Sequence, residues 1–210
     1  MTKFIPIFPL NIVVYPGENL NLHIFEPRYI QLIKDCFAEN KPFGIPSVLK
    51  SGISELGTTV KILSIENEKE TGEMDIKTIG ENVFRILETV EDIPDKLYQG
   101  AIVNYPKNSH SVIISKMKVI LNELHHFHQL LEIEKKYKKM ETELSSYDIA
   151  HHIGLSLQEE YELLTLLKEE QRQAFILKQL NKIIPTIIEL HSLKERIQLN
   201  GHFRKLSISE

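Results

Sequence analysis

The amino-acid sequence predicts an α+β fold: a small β-barrel or sandwich with one helix over residues 1–109, then an α-helical bundle over residues 110–210. Three observations predict it. The first 109 residues hold eight of the nine prolines and seven of the nine glycines, residues that punctuate short strands. Apolar side chains there tend to alternate at the strand period of two, whereas beyond Ser109 they recur at helical spacing. Charge divides at the same place: the first part carries 11 basic and 15 acidic side chains, the second 14 of each together with eight of the nine histidines.

Composition bounds the rest. With 210 residues, 42% hydrophobic content and a net charge of -4, the chain has enough apolar surface to bury a core and is not disordered. No run approaches the roughly 18 apolar residues of a membrane-spanning helix. Met1 to Leu10 lack the basic start, apolar run and small-residue site of a signal peptide. A lone cysteine, Cys36, cannot form an internal disulfide and fits a reducing cytoplasm. Mild acidity argues against a dedicated nucleic-acid binder.

Strands are expected at residues 4–8, 20–25, 44–49, 58–65, 74–79, 83–90 and 100–105. Thr71-Gly72 marks one hairpin, and Ile79-Gly80-Glu81-Asn82 reads as a turn between the fifth and sixth strands. A helix starts at Pro27, whose missing N–H suits a first turn, and buries Tyr29, Ile30, Ile33, Cys36 and Phe37. Cys36 is thereby a core thiol rather than a nucleophile. In the second part Ile113, Met117, Ile120, Leu124, Phe127 and Leu131 form the seam of a long helix, with Glu134 to Lys139 as its solvated last turn. A short helix around residues 147–153 ends at Gly154, and Ser156 with Glu159 forms a capping box for the next, in which Tyr161, Leu164 and Leu167 face inward. The last helix runs from about residue 171 through residue 197 and stops at Asn200-Gly201, with a kink or break at Pro185.

Searches for chemistry return little. Gly52-Ile53-Ser54-Glu55-Leu56-Gly57-Thr58-Thr59 has the glycine spacing of a phosphate-binding loop, but Thr58 stands where a lysine is needed and no helix pattern follows, so a β-turn into a strand is expected. There is no G-x-S-x-G elbow, and Ser156 is engaged as a helix cap. His125 and His128 share a helix face and His151-His152 lie on a neighbouring segment, yet no acidic residue completes a zinc motif, so no metal or cofactor is expected. Glu66, Glu68, Glu70, Glu73 and Asp75 read as a solvated acidic hairpin.

The N-terminal strings carry more information. Ile5-Pro6-Ile7-Phe8-Pro9-Leu10, Val13-Val14-Tyr15-Pro16-Gly17 and Leu22-His23-Ile24-Phe25-Glu26-Pro27-Arg28-Tyr29 resemble the opening of the Lon protease N-terminal, substrate-binding domain family. The likeness continues through Pro42-Phe43-Gly44, Gly57-Thr58-Thr59-Val60-Lys61-Ile62, Gly72-Glu73-Met74-Asp75-Ile76 and Gly80-Glu81-Asn82-Val83-Phe84-Arg85-Ile86, and into Ile149-Ala150 and Gly154-Leu155-Ser156. One departure is Val83, where the family often has a basic residue before the Phe.

The resemblance implies a six-stranded, PUA-like pseudobarrel followed by a helical bundle. It also implies a protein that recognises polypeptide without cleaving it. The ATPase and serine–lysine peptidase modules of the full-length protease have no counterpart in these residues, so a stand-alone form is expected. The expected partner is an unfolded or extended polypeptide, held in a groove between barrel and bundle by edge-strand addition or shallow apolar contacts. Phe25, Glu26, Pro27, Arg28 and Tyr29 are the candidate binding patch, with Arg28 offering a forked donor to carbonyl or acidic groups. Set against this, Phe25 and Tyr29 can pack the helix to the barrel, and Glu26 with Arg28 can form a surface pair worth about 0–1 kcal/mol. The alternatives are an RNA-binding protein and a regulatory subunit docking on a separate ATP-dependent protease or chaperone.

Overall fold

The computed structural model describes residues 2–134, 137 and 139–206, with side chains as far as residue 197. Six strands make one antiparallel sheet: β1 (Lys3–Pro6), β2 (Asn19–Ile24), β3 (Phe43–Leu49), β4 (Gly52–Glu66), β5 (Met74–Val90) and β6 (Gly100–Asn104). Their order is β1-β6-β5-β4-β3, with β2 added to β5. The 17 residues of β5 make it the spine, carrying β4 on one edge and β2 then β6 on the other. The segment after β1 closes the sheet, through parallel bridges from Ile7 to Gly44 and from Leu10 to Ser47. Phe8 N–H donates to the Gly44 carbonyl at 2.8 Å and Val48 N–H to that of Leu10 at 2.7 Å, which covers the outer edge of β3.

The two strands expected at residues 74–79 and 83–90 are one, and Ile79-Gly80-Glu81-Asn82 is not a turn. Gly80 is needed for close approach instead, because a Cβ there would overlap the Tyr15 carbonyl oxygen. Gly80 N–H donates to the Glu18 carbonyl and Gly17 N–H to that of Gly80, both at 2.8 Å. Opposite, β4 shifts register between Thr58 and Val60, which bends the ladder around this contact. β4 also begins at Gly52 rather than Thr58, after a tight turn at Lys50 and Ser51. The glycine-spaced stretch is therefore strand, with no helix behind it.

Helix α1 (Pro27–Ala38) packs on the barrel through Tyr29, Leu32, Ile33 and Cys36. These positions repeat every three to four residues, whereas Phe37 is turned by a further 100° or so and is 48% exposed rather than buried. Gln31 accepts from Leu97 N–H at 2.7 Å and donates to the Asp95 carbonyl at 3.0 Å. Asp35 accepts from Lys96 and Tyr98 at 2.7 and 2.8 Å, so the loop before β6 is bound to the helix.

The second part contains α2 (Ile114–Leu130), α3 (Ser146–Ile149), α4 (Leu157–Thr165) and α5 (Glu169–Leu206). Met117, Ile120, Leu124 and Phe127 of the expected seam are buried, while Leu131 beyond the helix is exposed. Because α2 ends at Leu130, Glu134, Tyr137 and Lys139 are not its last turn; Lys135, Lys136 and Lys138 lie outside the described residues. The capping box forms, with Ser156 N–H donating to Glu159 at 2.9 Å. α5 passes through Pro185 without a break and continues beyond Asn200 and Gly201. Thr186 donates its hydroxyl to the Lys182 carbonyl at 3.2 Å beside the proline.

Barrel and bundle share a core. Val13, Tyr15, Leu56 and Val83 belong to the same buried cluster as Met117, Ile120, Tyr147, Leu163 and Ile176. Val83 is apolar because it faces this junction. Among the described residues no helix is long and apolar enough to cross a membrane.

Candidate functional site

The expected patch divides in two. Tyr29 is buried and stacks on Phe8 with ring centroids 3.8 Å apart, so it is a packing residue. Phe25 is not: it is 61% exposed, one residue past the end of β2, with its ring beside that of His23. Glu26 caps the helix with extended backbone but no side-chain bond, and instead accepts from Arg28 Nε and Nη2 at 2.9 and 2.7 Å. The Arg28 guanidinium also lies 4.6 Å from the Tyr29 ring centroid. Pro27 opens α1 as its first residue. The result is an exposed aromatic next to an oriented cation already shared with a carboxylate, a pair worth about 0–1 kcal/mol at this exposure.

Between barrel and bundle a groove is lined by Pro16, Glu18 and Asn19 on one side and by Leu144, Tyr147 and His151 on the other. Its lining mixes apolar and charged groups rather than being purely apolar. His151 spans the junction, with Nδ1 2.7 Å from Glu160 and Nε2 3.1 Å from Glu18. Burial lowers the His151 pKa, but the hydrogen bonds to Glu160 and Glu18 outweigh it and push the value up to about 9. Tyr15 packs 4.8 Å from the His151 ring and donates its hydroxyl to the Glu160 carbonyl at 2.9 Å. Burial, with Glu160 and Glu18 nearby, raises the Tyr15 pKa, so it remains a donor. Tyr161 adds a second tie by accepting from Leu56 N–H at 3.2 Å.

His151 carries a pH prediction. Its folded pKa lies above the ordinary value of 6.5, so its stabilisation is complete below about pH 6.5 and disappears as pH rises through about 9. Thermal unfolding followed by circular dichroism is expected to show a lower midpoint above that window, by a few degrees at about 2–4 °C per kcal/mol. His151→Gln is expected to flatten this profile; an unchanged profile would show that the bridge contributes nothing.

The remaining sequence candidates have structural roles. Cys36 is buried, and burial followed by the charges of Asp35 and Glu39 pushes its thiol up to about 12, so it is no nucleophile. His128 is buried with Nε2 2.9 Å from the His152 carbonyl, and His125 is 2.9 Å from Gln129. Among the described residues no cluster of His, Cys, Asp and Glu has a metal-binding arrangement. In the acidic hairpin Glu66 pairs with Lys77, Glu68 with Lys34 and Glu73 with Lys69. Hydrogen bonds hold Glu66, Glu73 and Asp75 below the usual carboxylate range.

Sequence reasoning missed the backbone of β2 as a surface. Its outward side chains, Asn19, Asn21 and His23, are ordinary polar residues, and only strand order reveals that one edge is open.

Comparison with known proteins decides the family. The model of the ATP-dependent protease La (LON) substrate-binding domain matches residues 5–182. The chain belongs to this family. A Lon N-terminal domain protein from Xanthomonas campestris has a similar structure, at 20% identity and a TM-score of 0.67, covering 84% of this chain and 98% of that one. The N-terminal domain of the Mycobacterium avium complex Lon protease is similar at 15% identity and a TM-score of 0.64, covering 85% and 98%. Both likenesses are of fold. Among curated protein sequences none matches the chain. The LON match takes in the barrel, α2 to α4 and the first turns of α5, so the β2 edge, the Phe25 patch and the junction groove all lie within it.

Proposed function

We propose that this LON substrate-binding domain holds unfolded or extended polypeptide segments by surface complementarity, with no reaction of its own, and presents them to a separate ATP-dependent protease or chaperone. Family membership across residues 5–182 supports polypeptide binding. The observation that carries the location is Phe25, a large aromatic left 61% exposed beside the oriented Arg28 and Glu26. Aromatic and arginine side chains dominate the energetics of protein interfaces, and an exposed Phe gains from burial under a partner. Pro27 and Tyr29 serve the patch by fixing the start of α1 on the barrel. The shared core ties barrel to bundle behind this surface.

The patch is tested by fluorescence anisotropy with a labelled, permanently unfolded polypeptide. Phe25→Ala is expected to weaken binding by about tenfold, equivalent to 1.4 kcal/mol. Arg28→Ala is expected to cost less, because its guanidinium is already shared with Glu26. Unchanged affinity in Phe25→Ala would remove the patch from the site.

A further inference from the structure

We infer that the outer edge of β2 is the place where an extended client adds as a further strand, an inference that rests on the polypeptide-binding reading above and names its mode. The phase of the ladder gives the argument. Gly80 N–H donates to the Glu18 carbonyl while the Gly80 carbonyl accepts from Gly17 N–H, and this contact sets the phase of the hydrogen-bonded pairs in the antiparallel β2–β5 ladder. Such pairs recur every second residue. Leu20, Leu22 and Ile24, opposite Thr78, Ile76 and Met74, therefore turn their backbone groups toward β5, while Asn19, Asn21 and His23 turn theirs away. The Thr78 hydroxyl donating to the Leu20 carbonyl at 2.9 Å agrees with this phase. Among the described residues, no backbone bond from outside the β2–β5 ladder reaches the N–H or C=O of Asn19, Asn21 or His23.

The edge is also undefended. Natural sheets protect open edges with short strands, Lys, Pro, bulges or a covering segment. β1 is four residues long and carries Lys3 and Pro6, and β3 is covered by the segment running from Ile7 to Leu10. The six residues of β2 include no proline and no Lys, Arg, Asp or Glu, and its register with β5 has no shift. A row of alternating donors and acceptors spaced along about 13 Å, at roughly 3.3 Å per residue, is satisfied by one kind of ligand: another extended backbone. The side chains of β2 are two asparagines, two leucines, an isoleucine and His23, whose Nδ1 lies 2.8 Å from Asp75 Oδ1. Phe25 sits at one end of the row to take an apolar client side chain, and Asn19 at the other end lines the groove against the bundle.

Asn21→Pro tests this, because its outward N–H supports no bond of the barrel and its loss leaves the β5 ladder complete. Binding of fluorescein-labelled, reduced and carboxymethylated lactalbumin is measured for the full chain, Asn21→Pro and Asn21→Ala, together with amide hydrogen exchange of the unsubstituted chain. Asn21→Ala is expected to bind as the unsubstituted chain does, and Asn21→Pro about tenfold or more weaker. The amides of Asn19, Asn21 and His23 are expected to exchange more slowly when client is saturating. Equal binding by Asn21→Pro, or unchanged exchange at these amides while client is bound, would overturn the edge mode and leave polypeptide binding standing. Absence of any binding by the unsubstituted chain would overturn both. Protection of these amides without client, in a chain that sediments as a dimer, would assign the edge to a second copy and also overturn the inference. If Asn21→Pro fails to fold, the exchange measurement on the unsubstituted chain decides.

Discussion

Replacing Arg172 with alanine is expected to destabilise the protein by about 3–5 kcal/mol, the scale for breaking a buried ion pair on one side only. Arg172 and Glu169 are both fully enclosed at the start of α5. The guanidinium donates to Glu169 Oε2 from Nε at 3.0 Å and from Nη2 at 2.8 Å. It also donates to Asn108 Oδ1 at 2.9 Å and to the Leu166 carbonyl at 2.6 Å, and it faces the Tyr147 ring at 4.2 Å. A further bond to the Ser109 carbonyl fastens the segment that joins barrel to bundle. Alanine would leave the Glu169 carboxylate buried with Ser146 alone, and two carbonyls unpaired. The exposed Lys41–Glu39 pair, by contrast, is screened by solvent, and its loss should be close to neutral. At about 2–4 °C per kcal/mol for a chain of this size, the Arg172→Ala midpoint should fall by roughly 10 °C. Thermal and urea unfolding measure it; a loss under about 1 kcal/mol would show that the network is not structural.

Gly80→Ala is the second large effect, and its sign is informative. In most strand interiors exchanging Gly for Ala stabilises by about 0.5–1 kcal/mol, because glycine has more backbone entropy to lose. At Gly80 the new Cβ would meet the Tyr15 carbonyl, a backbone atom that cannot swing aside, and Tyr15 is itself buried in the core shared by barrel and bundle. We expect destabilisation of about 1–3 kcal/mol, as for other overpacked cores. Urea unfolding of the single variant is sufficient; a gain in stability would mean that the loop from Tyr15 to Glu18 does not press on β5 as described.

Local signals in the sequence were sufficient for elements whose cause is local. Pro27 opens α1, Ser156 and Glu159 cap α4, and the repeat from Met117 to Phe127 buries one face of α2, all from residues within a few positions of one another. The fusion of two expected strands into β5 was not legible, since Gly80 answers to Tyr15, 65 positions away, and a glycine in a strand looks like a turn without that partner. Phe37 departs from the expected stripe because it lies at the margin of the apolar face of α1, and the helix turn carries it to solvent. No local signal marks Arg172 and Glu169, an i,i+3 pair whose burial depends on Asn108, Ser109 and Tyr147 arriving from elsewhere. Within the candidate binding patch, sequence alone does not separate exposed Phe25 from buried Tyr29. The open edge of β2 is a property of strand order, which no residue on it announces.

The most direct measurement of the central claim is an anisotropy titration of the unsubstituted chain with a permanently unfolded polypeptide, repeated between about 50 and 200 mM salt. The account predicts saturable binding that changes little across that range, since backbone and apolar contacts carry it. Failure to bind, or affinity that collapses with salt while RNA binds in the same range, would contradict it.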